Sequence, residues 1–159
     1  MAKGIVYKLG LVLGITILSS FTFSNSETTE VALFSCVINN KPFLEESSSA
    51  ILRKITGGET QLSITNERFI KFSFLNPKPM ERIDLSNPGR RVFIRYEDPA
   101  SLQIGQPVSG YVFITSINQK EKLVSGEFEF DMELKTESGP GRIVKIQKGK
   151  FENLPIEIR

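Results

Sequence analysis

The sequence predicts an all-β fold: a single antiparallel β-sandwich or barrel of about 8–10 short strands, preceded by an N-terminal signal peptide. Apolar and polar residues alternate with a period of two through most of the chain after residue 30, as expected where a strand sends successive side chains to opposite faces. The turn pairs Asn39-Asn40 and Gly57-Gly58 separate such runs. No segment carries an apolar stripe at helical spacing over three turns. The pattern does not distinguish a sandwich from a barrel.

The first 26 residues have the order of a secretory signal peptide. Lys3 and Lys8 provide a basic start, an uncharged apolar run covers residues 9–18, and small and polar residues follow in SSFTFSNS. The apolar run is shorter than the roughly 20 residues that span a bilayer. We expect cleavage after Ser24 or Ser26 and export to the periplasm or the extracellular space, with no stable membrane span afterwards. The alternative is a membrane anchor formed by an uncleaved N-terminus.

Residues 27–159 are expected to form one all-β domain with no net charge. All 18 acidic residues follow the leader, and the loss of Lys3 and Lys8 from the 20 basic residues leaves 18. Nucleic-acid binding by counterion release requires a surplus of Lys and Arg. Nucleic acid is therefore not expected as a partner.

Cys36 is the only cysteine, so an intramolecular disulfide is impossible. A lipidated cysteine would make the protein an outer-membrane lipoprotein, but bulky Phe34 does not suit a lipobox. Glu27 and Glu30 also intervene between the apolar run and Cys36. We interpret Cys36 as a buried thiol in the first strand, because free cysteine behaves as a small hydrophobic residue.

Each strand is predicted where the alternation persists, and each connection where Gly, Pro or Asn accumulates. A central strand is excluded from residues 77–88, because they include Pro77, Pro79 and Pro88 and proline cannot donate to a β-ladder. A short edge strand around residues 83–85 is still compatible with the sequence. The stretch 98–109 is interpreted as a loop. The predicted strands cover residues 31–38, 41–43, 50–56, 59–65, 68–75, 90–96, 110–118, 123–135, 142–147 and 150–158.

A row of alternating carboxylates lies on the longest predicted strand, and paired carboxylates are used by glycosidases. The row consists of Glu127, Glu129, Asp131 and Glu133, and it alternates with Phe128, Phe130, Met132 and Leu134. Neighbours on one face of a strand are roughly 6–7 Å apart, which any exposed strand with alternating Glu would show. We interpret the row as the water-facing side of the strand.

The next strand supports that interpretation through its expected register. The apolar faces match if Leu134 lies opposite Val144 and Met132 opposite Ile146. That register places Glu133 opposite Lys145 and Asp131 opposite Gln147, which adds opposite charges across the strands. A bulge at Gly149 is then needed to return Phe151 to the core. The predicted shared core face is Phe128, Phe130, Met132, Leu134, Val144, Ile146 and Phe151.

The chain contains no histidine, which excludes Ser-His-Asp and Cys-His catalysis and the usual zinc sites. No Gly-rich phosphate loop and no calcium-type spacing of Asp is present. We therefore assign no catalytic, cofactor-binding or metal-ligating residue and expect no cofactor.

Three other groups of residues are candidates for a functional role. The arginines around Phe93 suggest either an anion-binding or nucleic-acid-binding face or a solvated strand face with charge partners. We interpret them as the solvated face, because the domain has no net charge. Tyr96 and Tyr111 are interpreted as core residues, because both fall in apolar alternation. Acids from separate loops can still meet, with Glu97 or Asp98 beside Glu67 or Glu121 as the candidates. The arginines are Arg90, Arg91 and Arg95.

The C-terminal half, SGYVFITSINQKEKLVSGEFEF followed by VKIQKGKFENL, resembles a family of uncharacterised exported proteins and lipoproteins of Gram-negative, Bacteroidetes-type bacteria. The N-terminal FSCVINNKPF resembles the opening hairpin of that family. The resemblance implies an exported all-β domain of unknown function and supplies no catalytic residue. Ser19 and Ser20 stand near the position of the lipobox cysteine found in many members. The motif residues are Val124, Ser125, Gly126, Phe128, Phe130, Ile146, Gly149 and Phe151.

These observations predict a non-enzymatic domain that binds another macromolecule in the cell envelope or outside the cell. One alternative is a carrier of a small apolar ligand within a barrel cavity. A second alternative is a carboxylate-based enzyme that acts on glycans. The pattern assigns neither the binding residues nor the oligomeric state.

Overall fold

The part of the chain that the structure describes is all-β, as predicted. The computed structural model describes residues 32–45, 48–66, 69–99, 101–136 and 139–159, so the predicted leader at residues 1–26 lies outside the described residues. Within those ranges there are ten strands and no helix. They are β1 (Leu33–Ile38), β2 (Lys41–Glu45), β3 (Ser49–Lys54), β4 (Thr60–Thr65), β5 (Ile70–Leu75), β6 (Glu81–Asp84), β7 (Val92–Glu97), β8 (Ile104–Asn118), β9 (Leu123–Thr136) and β10 (Gly139–Ile158).

Seven of the strands close into a barrel, which decides between the two predicted architectures. The closed order is β10-β3-β4-β5-β7-β8-β9 and back to β10. All neighbours are antiparallel except β3 and β10, which are parallel. The hairpin β1-β2 extends the sheet from β10, and β6 pairs with β8.

Closure depends on two long strands that each take two partners along one edge. The last residues of β10, Ile156–Ile158, pair with β3, whereas its middle pairs with β1. The first residues of β8, Ile104 and Gly105, pair with β7, and a later part pairs with β6. We call β3-β4-β5-β7 the front sheet and β8-β9-β10 the back sheet. The front and back sheets are joined at two places, by the pairing of β3 with β10 and by the pairing of β7 with β8, and these two pairings close the barrel.

The back sheet departs from the prediction of short strands, because its members are 14 to 20 residues long. The predicted loop at residues 98–109 is also wrong over its second half, where β8 begins at Ile104. Pro107 does not break the strand, because a bulge between Pro107 and Ser109 lies beside it.

The barrel interior is packed with aromatic rings. Phe72 has its ring centroid 5.0 Å from that of Phe128 and 6.2 Å from that of Phe151, and Phe128 lies 5.3 Å from Phe34. Phe74 and Phe130 complete the cluster. All seven residues of the predicted core face are buried, as expected.

The predicted register between β9 and β10 is wrong by two residues. Leu134 lies opposite Arg142 and Met132 opposite Val144, which places Lys145 opposite Asp131. A slip of two residues leaves every side chain on its own face, so the hydrophobic pattern does not detect it.

The bulge predicted near Gly149 is present. The ladder between β9 and β10 shifts between Ile146 and Gly149, and Lys148 within it has a φ of 51°. Phe151 is thereby returned to the core, where it is 0% exposed. Gly149 itself is needed for space, because a Cβ there would lie 2.2 Å from Cε2 of Phe128.

Candidate binding surface

The carboxylate row lies on the outside of the back sheet, as predicted. Glu129 is exposed and the other three acids are half-buried, whereas the alternating apolar residues are buried. Asp131 lies opposite Lys145 on β10 and opposite Ser109 on β8, and Glu127 lies opposite Lys150. Within the described residues, no three Cys, Asp or Glu side chains are arranged to hold a metal ion.

The acids considered as a convergent pair have other partners. Asp98 is buried, forms an ion pair with Arg142 and accepts a hydrogen bond of 2.6 Å from Oγ of Ser101. Glu97 lies 3.5 Å from Arg95, and Glu121 accepts a hydrogen bond from Asn118. Glu67 lies outside the described residues. Among the described residues, these three acids thus have arginine, serine or asparagine side chains as partners.

The thiol and one tyrosine occupy the barrel interior. Cys36 is buried in β1 between β2 and β10, and this burial raises the pKa of the thiol to about 12. Tyr96 is buried as predicted; burial first, and then the charge of Asp98, raise its pKa to about 12. A protonated thiol is a poor nucleophile, and Cys36 packs within the hydrophobic core cluster.

The expectation that Tyr111 belongs to the core is wrong. Val112 and Ile114 supply the buried face of β8, and Tyr111 therefore points outward. Its ring is half-buried on the outside, where the guanidinium of Arg82 lies 3.7 Å from the ring centroid. This cation–π contact takes up one face of the ring.

The arginines around Phe93 were predicted to have charge partners, and two of the three have one in the structure. Arg91 pairs with Glu81, and Arg95 lies 3.5 Å from Glu97. Phe93 between them is 64% exposed. A large aromatic side chain thus stands on the outer face of the front sheet.

The depression beside Phe93 arises from the register of the front sheet. Ile51 lies opposite Ser63, Ser63 opposite Ser73, and Ser73 opposite Phe93, so these residues form one row across four strands. Two serines at the centre are smaller than the residues at either end. They leave a depression of about 400 Å³. We call it the Phe93 groove, lined on the outer face by Ser63, Thr65, Lys71, Ser73, Phe93 and Arg95.

The neighbouring rows give this groove charge on one side and fixed polar groups on the other. Lys71 lies opposite Arg95, so two cations border it beyond Ser73. On the other side, Gln61 accepts hydrogen bonds of 2.8 and 2.5 Å from Arg53 and donates one of 2.5 Å to Ser73. The groove therefore combines an aromatic ring, hydroxyl groups and positive charge.

The sequence suggested an anion-binding face around Phe93, which we interpreted as a solvated strand face, and it did not reveal the groove beside this ring. Phe93 occupies the polar side of β7, between Arg91 and Arg95, where the alternation calls for a hydrophilic residue. The serines are not informative in the sequence, because their position beside Phe93 depends on pairing between separate strands.

Comparison with known proteins yields no match among family models, curated proteins or solved structures. In the ranges that the structure describes, no helix has the length and apolar character needed to cross a bilayer. The Phe93 groove is therefore interpreted from its own geometry and chemistry.

Proposed function

We propose that this chain is an exported, non-enzymatic β-domain that binds an acidic macromolecule in the cell envelope or outside the cell through the Phe93 groove. The observation that carries the proposal is the 64% exposure of Phe93 beside a depression bordered by Lys71 and Arg95. Single exposed apolar residues are common. An exposed aromatic ring that adjoins a concavity with two cations has the chemistry of a binding anchor, because buried aromatic and Arg side chains dominate interface energetics.

The packing of the barrel supports surface binding over a carrier role. A carrier needs an enclosed apolar cavity of a few hundred Å³, whereas six phenylalanine side chains occupy this interior. The carboxylate row supports an enzyme less well than the Phe93 groove supports a binding protein. Asp131 and Glu127 lie opposite lysines on β10, as expected for a solvated strand face.

Export is part of the same proposal and has a separate test. The order of residues 1–26 and the resemblance to exported proteins support cleavage after Ser24 or Ser26. The burial of Cys36 within paired strands supports a mature chain that starts before it. N-terminal sequencing of the protein from periplasm or medium checks this; a chain beginning at Met1 or at a lipidated Cys36 contradicts it.

Binding is tested by co-sedimentation of the purified secreted protein with the envelope fraction of its own cells. We expect Phe93→Ala to weaken binding at least tenfold, since an interface anchor is worth about 2 kcal/mol or more. Lys71→Glu is expected to weaken it and to reduce its dependence on salt. Leu102→Ala is the matched control, because Leu102 is an apolar side chain that is 72% exposed but lies in the β7–β8 turn.

Two results would overturn the proposal. One is equal binding by the native protein, Phe93→Ala and Leu102→Ala. The other is loss of binding only when an acid of the back sheet, such as Glu129, is replaced. Circular dichroism of each variant establishes that its fold is intact.

A further inference from the structure

A second surface, distinct from the Phe93 groove, lies along one edge of β8. The strand pairs with β9 from Gly105 to Asn118 on one side. On its other side β7 pairs with Ile104 and Gly105, and β6 with residues 111–114. Among the described residues, no strand pairs with that side at residues 115–118. Main-chain groups of a strand point alternately to its two sides, so this edge retains donors and acceptors for another strand.

The chain that precedes β6 does not fill this position. Pro77 and Pro79 stand opposite the edge, and proline has no N–H to donate. Met80 has a φ of 57° and Asn76 a φ of 49°, so the backbone turns away from strand geometry on both sides of the prolines. The result is a groove of about 530 Å³ between the prolines and residues 115–119, which we call the β8-edge groove.

The side chains around the β8-edge groove indicate what it accepts. Its lining includes half-buried Ile117, and Met80, which follows Pro79 in the chain, is 73% exposed. Methionine adapts its shape to varied apolar partners. Three exposed lysines lie in the adjoining segments, whereas the acid of the β8–β9 turn, Glu121, is bonded to Asn118. The lysines are Lys78, Lys120 and Lys122.

We propose that the β8-edge groove binds an acidic, extended peptide segment of a partner protein, which adds as a strand to residues 115–118. The unpaired edge supplies main-chain hydrogen bonds, as in other cases of strand addition. Met80, Ile117 and the prolines contact alternate apolar side chains of the peptide. The three lysines select acidic residues on its opposite face.

The probe is an acetylated and amidated peptide of four Glu-Val repeats, which places valine on one face of a strand and glutamate on the other. Its binding to the whole secreted protein is measured by isothermal titration calorimetry, and hydrogen exchange measured by NMR locates it. We expect slower exchange of the amides at residues 115–119. The combined change of Lys120→Glu and Lys122→Glu is expected to weaken binding at least tenfold, whereas Lys135→Glu on β9 leaves it unchanged.

Two control peptides separate main-chain pairing from charge attraction. The same peptide with every backbone amide N-methylated keeps every side chain but loses all its main-chain donors, and it is expected not to bind. A peptide of four Lys-Val repeats is expected to bind at least tenfold more weakly. Phe93→Ala is expected to bind the probe as the native protein does, so failure of the Phe93 groove and failure of this proposal are distinguishable.

Several outcomes would overturn the proposal. They are the absence of binding by the Glu-Val peptide, equal binding by its N-methylated form, and protection confined to residues outside 115–119. Concentration-dependent protection of these amides without peptide would assign the edge to a second copy of this chain instead.

Discussion

Gly149→Ala tests the packing that lets the bulge in β10 close over the core. A Cβ at this position would lie 2.2 Å from Cε2, 2.3 Å from Cδ2 and 2.6 Å from Cγ of Phe128. Carbon atoms in contact are normally about 3.5–4.0 Å apart, so the ring would have to move by more than 1 Å. Phe128 is 1% exposed and its centroid lies 5.0 Å from Phe72 and 5.3 Å from Phe34. Because Phe130 and Phe151 also lie close to it, a movement of this size disturbs other aromatic side chains of the core.

We therefore expect Gly149→Ala to lower the free energy of unfolding by about 3 kcal/mol, the upper end of the usual cost of overpacking. Gly141→Ala in the same strand is the matched control. The three atoms nearest to its Cβ, at 2.6–2.9 Å, would all belong to the flexible side chain of Glu133, and that side chain can rotate away. The change at Gly141 is expected to stay within about 0.5 kcal/mol.

Urea denaturation of both variants measures the two free energies, with an unchanged slope indicating an unchanged denatured state. Adding Phe128→Leu provides a double-mutant cycle, because the smaller side chain makes room at Gly149. We expect Gly149→Ala to cost less in that background. Equal destabilisation by Gly149→Ala and Gly141→Ala, or no coupling to Phe128, would show that the Phe128 ring does not limit the space at Gly149.

Three further predictions concern the facing of β9, the bulge and the thiol. Phe130→Ala is expected to cost about 3–5 kcal/mol of unfolding free energy and Glu129→Ala no more than about 0.5 kcal/mol; equal losses in chemical denaturation would reverse the facing of β9. Lys148→Gly is expected to stabilise the protein by up to about 1 kcal/mol, because Lys148 has a φ of 51° and glycine adopts positive φ without steric cost. Clear destabilisation would show that the contacts of the Lys148 side chain contribute more to stability than relief of its backbone strain. The folded-state pKa of Cys36, about 12, exceeds its ordinary value of 9.0, so the stability associated with the protonated thiol is fully present below pH 9 and is lost as pH rises towards 12. The unfolding free energy should therefore fall less steeply above pH 9 in Cys36→Ala than in the native protein, and identical slopes would contradict the burial of the thiol.

Local pattern was sufficient to predict most strands and their facing. In β5, Ile70, Phe72 and Phe74 alternate with polar residues, and all three are buried. Asn39 and Asn40 both adopt positive φ between β1 and β2, as a tight hairpin requires. Each of these features is decided by neighbours in the chain, so the sequence carries it directly.

The closure of the barrel was not predictable from pattern, because it depends on pairing between distant segments. β10 meets β1 with its middle and β3 with its last three paired residues. Alternation places a side chain on a face but does not select the strand beside it. The predicted register of β9 and β10 was wrong by two residues for the same reason. The predicted register and the observed one, in which Asp131 lies opposite Lys145, bury the same residues.

The candidate surface was visible in the sequence only in part. Phe93 breaks the alternation of β7, which is a local signal. Ser63, Ser73 and Lys71 join it through the ladders β4–β5 and β5–β7. Neither ladder is fixed by composition, so the groove appears only once the strands are paired.

The most direct test of binding at the Phe93 groove is an NMR titration of the isotope-labelled protein with soluble fragments of its own cell envelope. We predict that the largest chemical-shift changes fall on the Phe93 ring and on the side chains of Lys71 and Arg95, while the signals of Glu129 and Asp131 on the back sheet stay in place. Changes centred on Glu129 and Asp131, with the Phe93 ring unaffected, would show that the back sheet binds the envelope fragments and that the Phe93 groove does not.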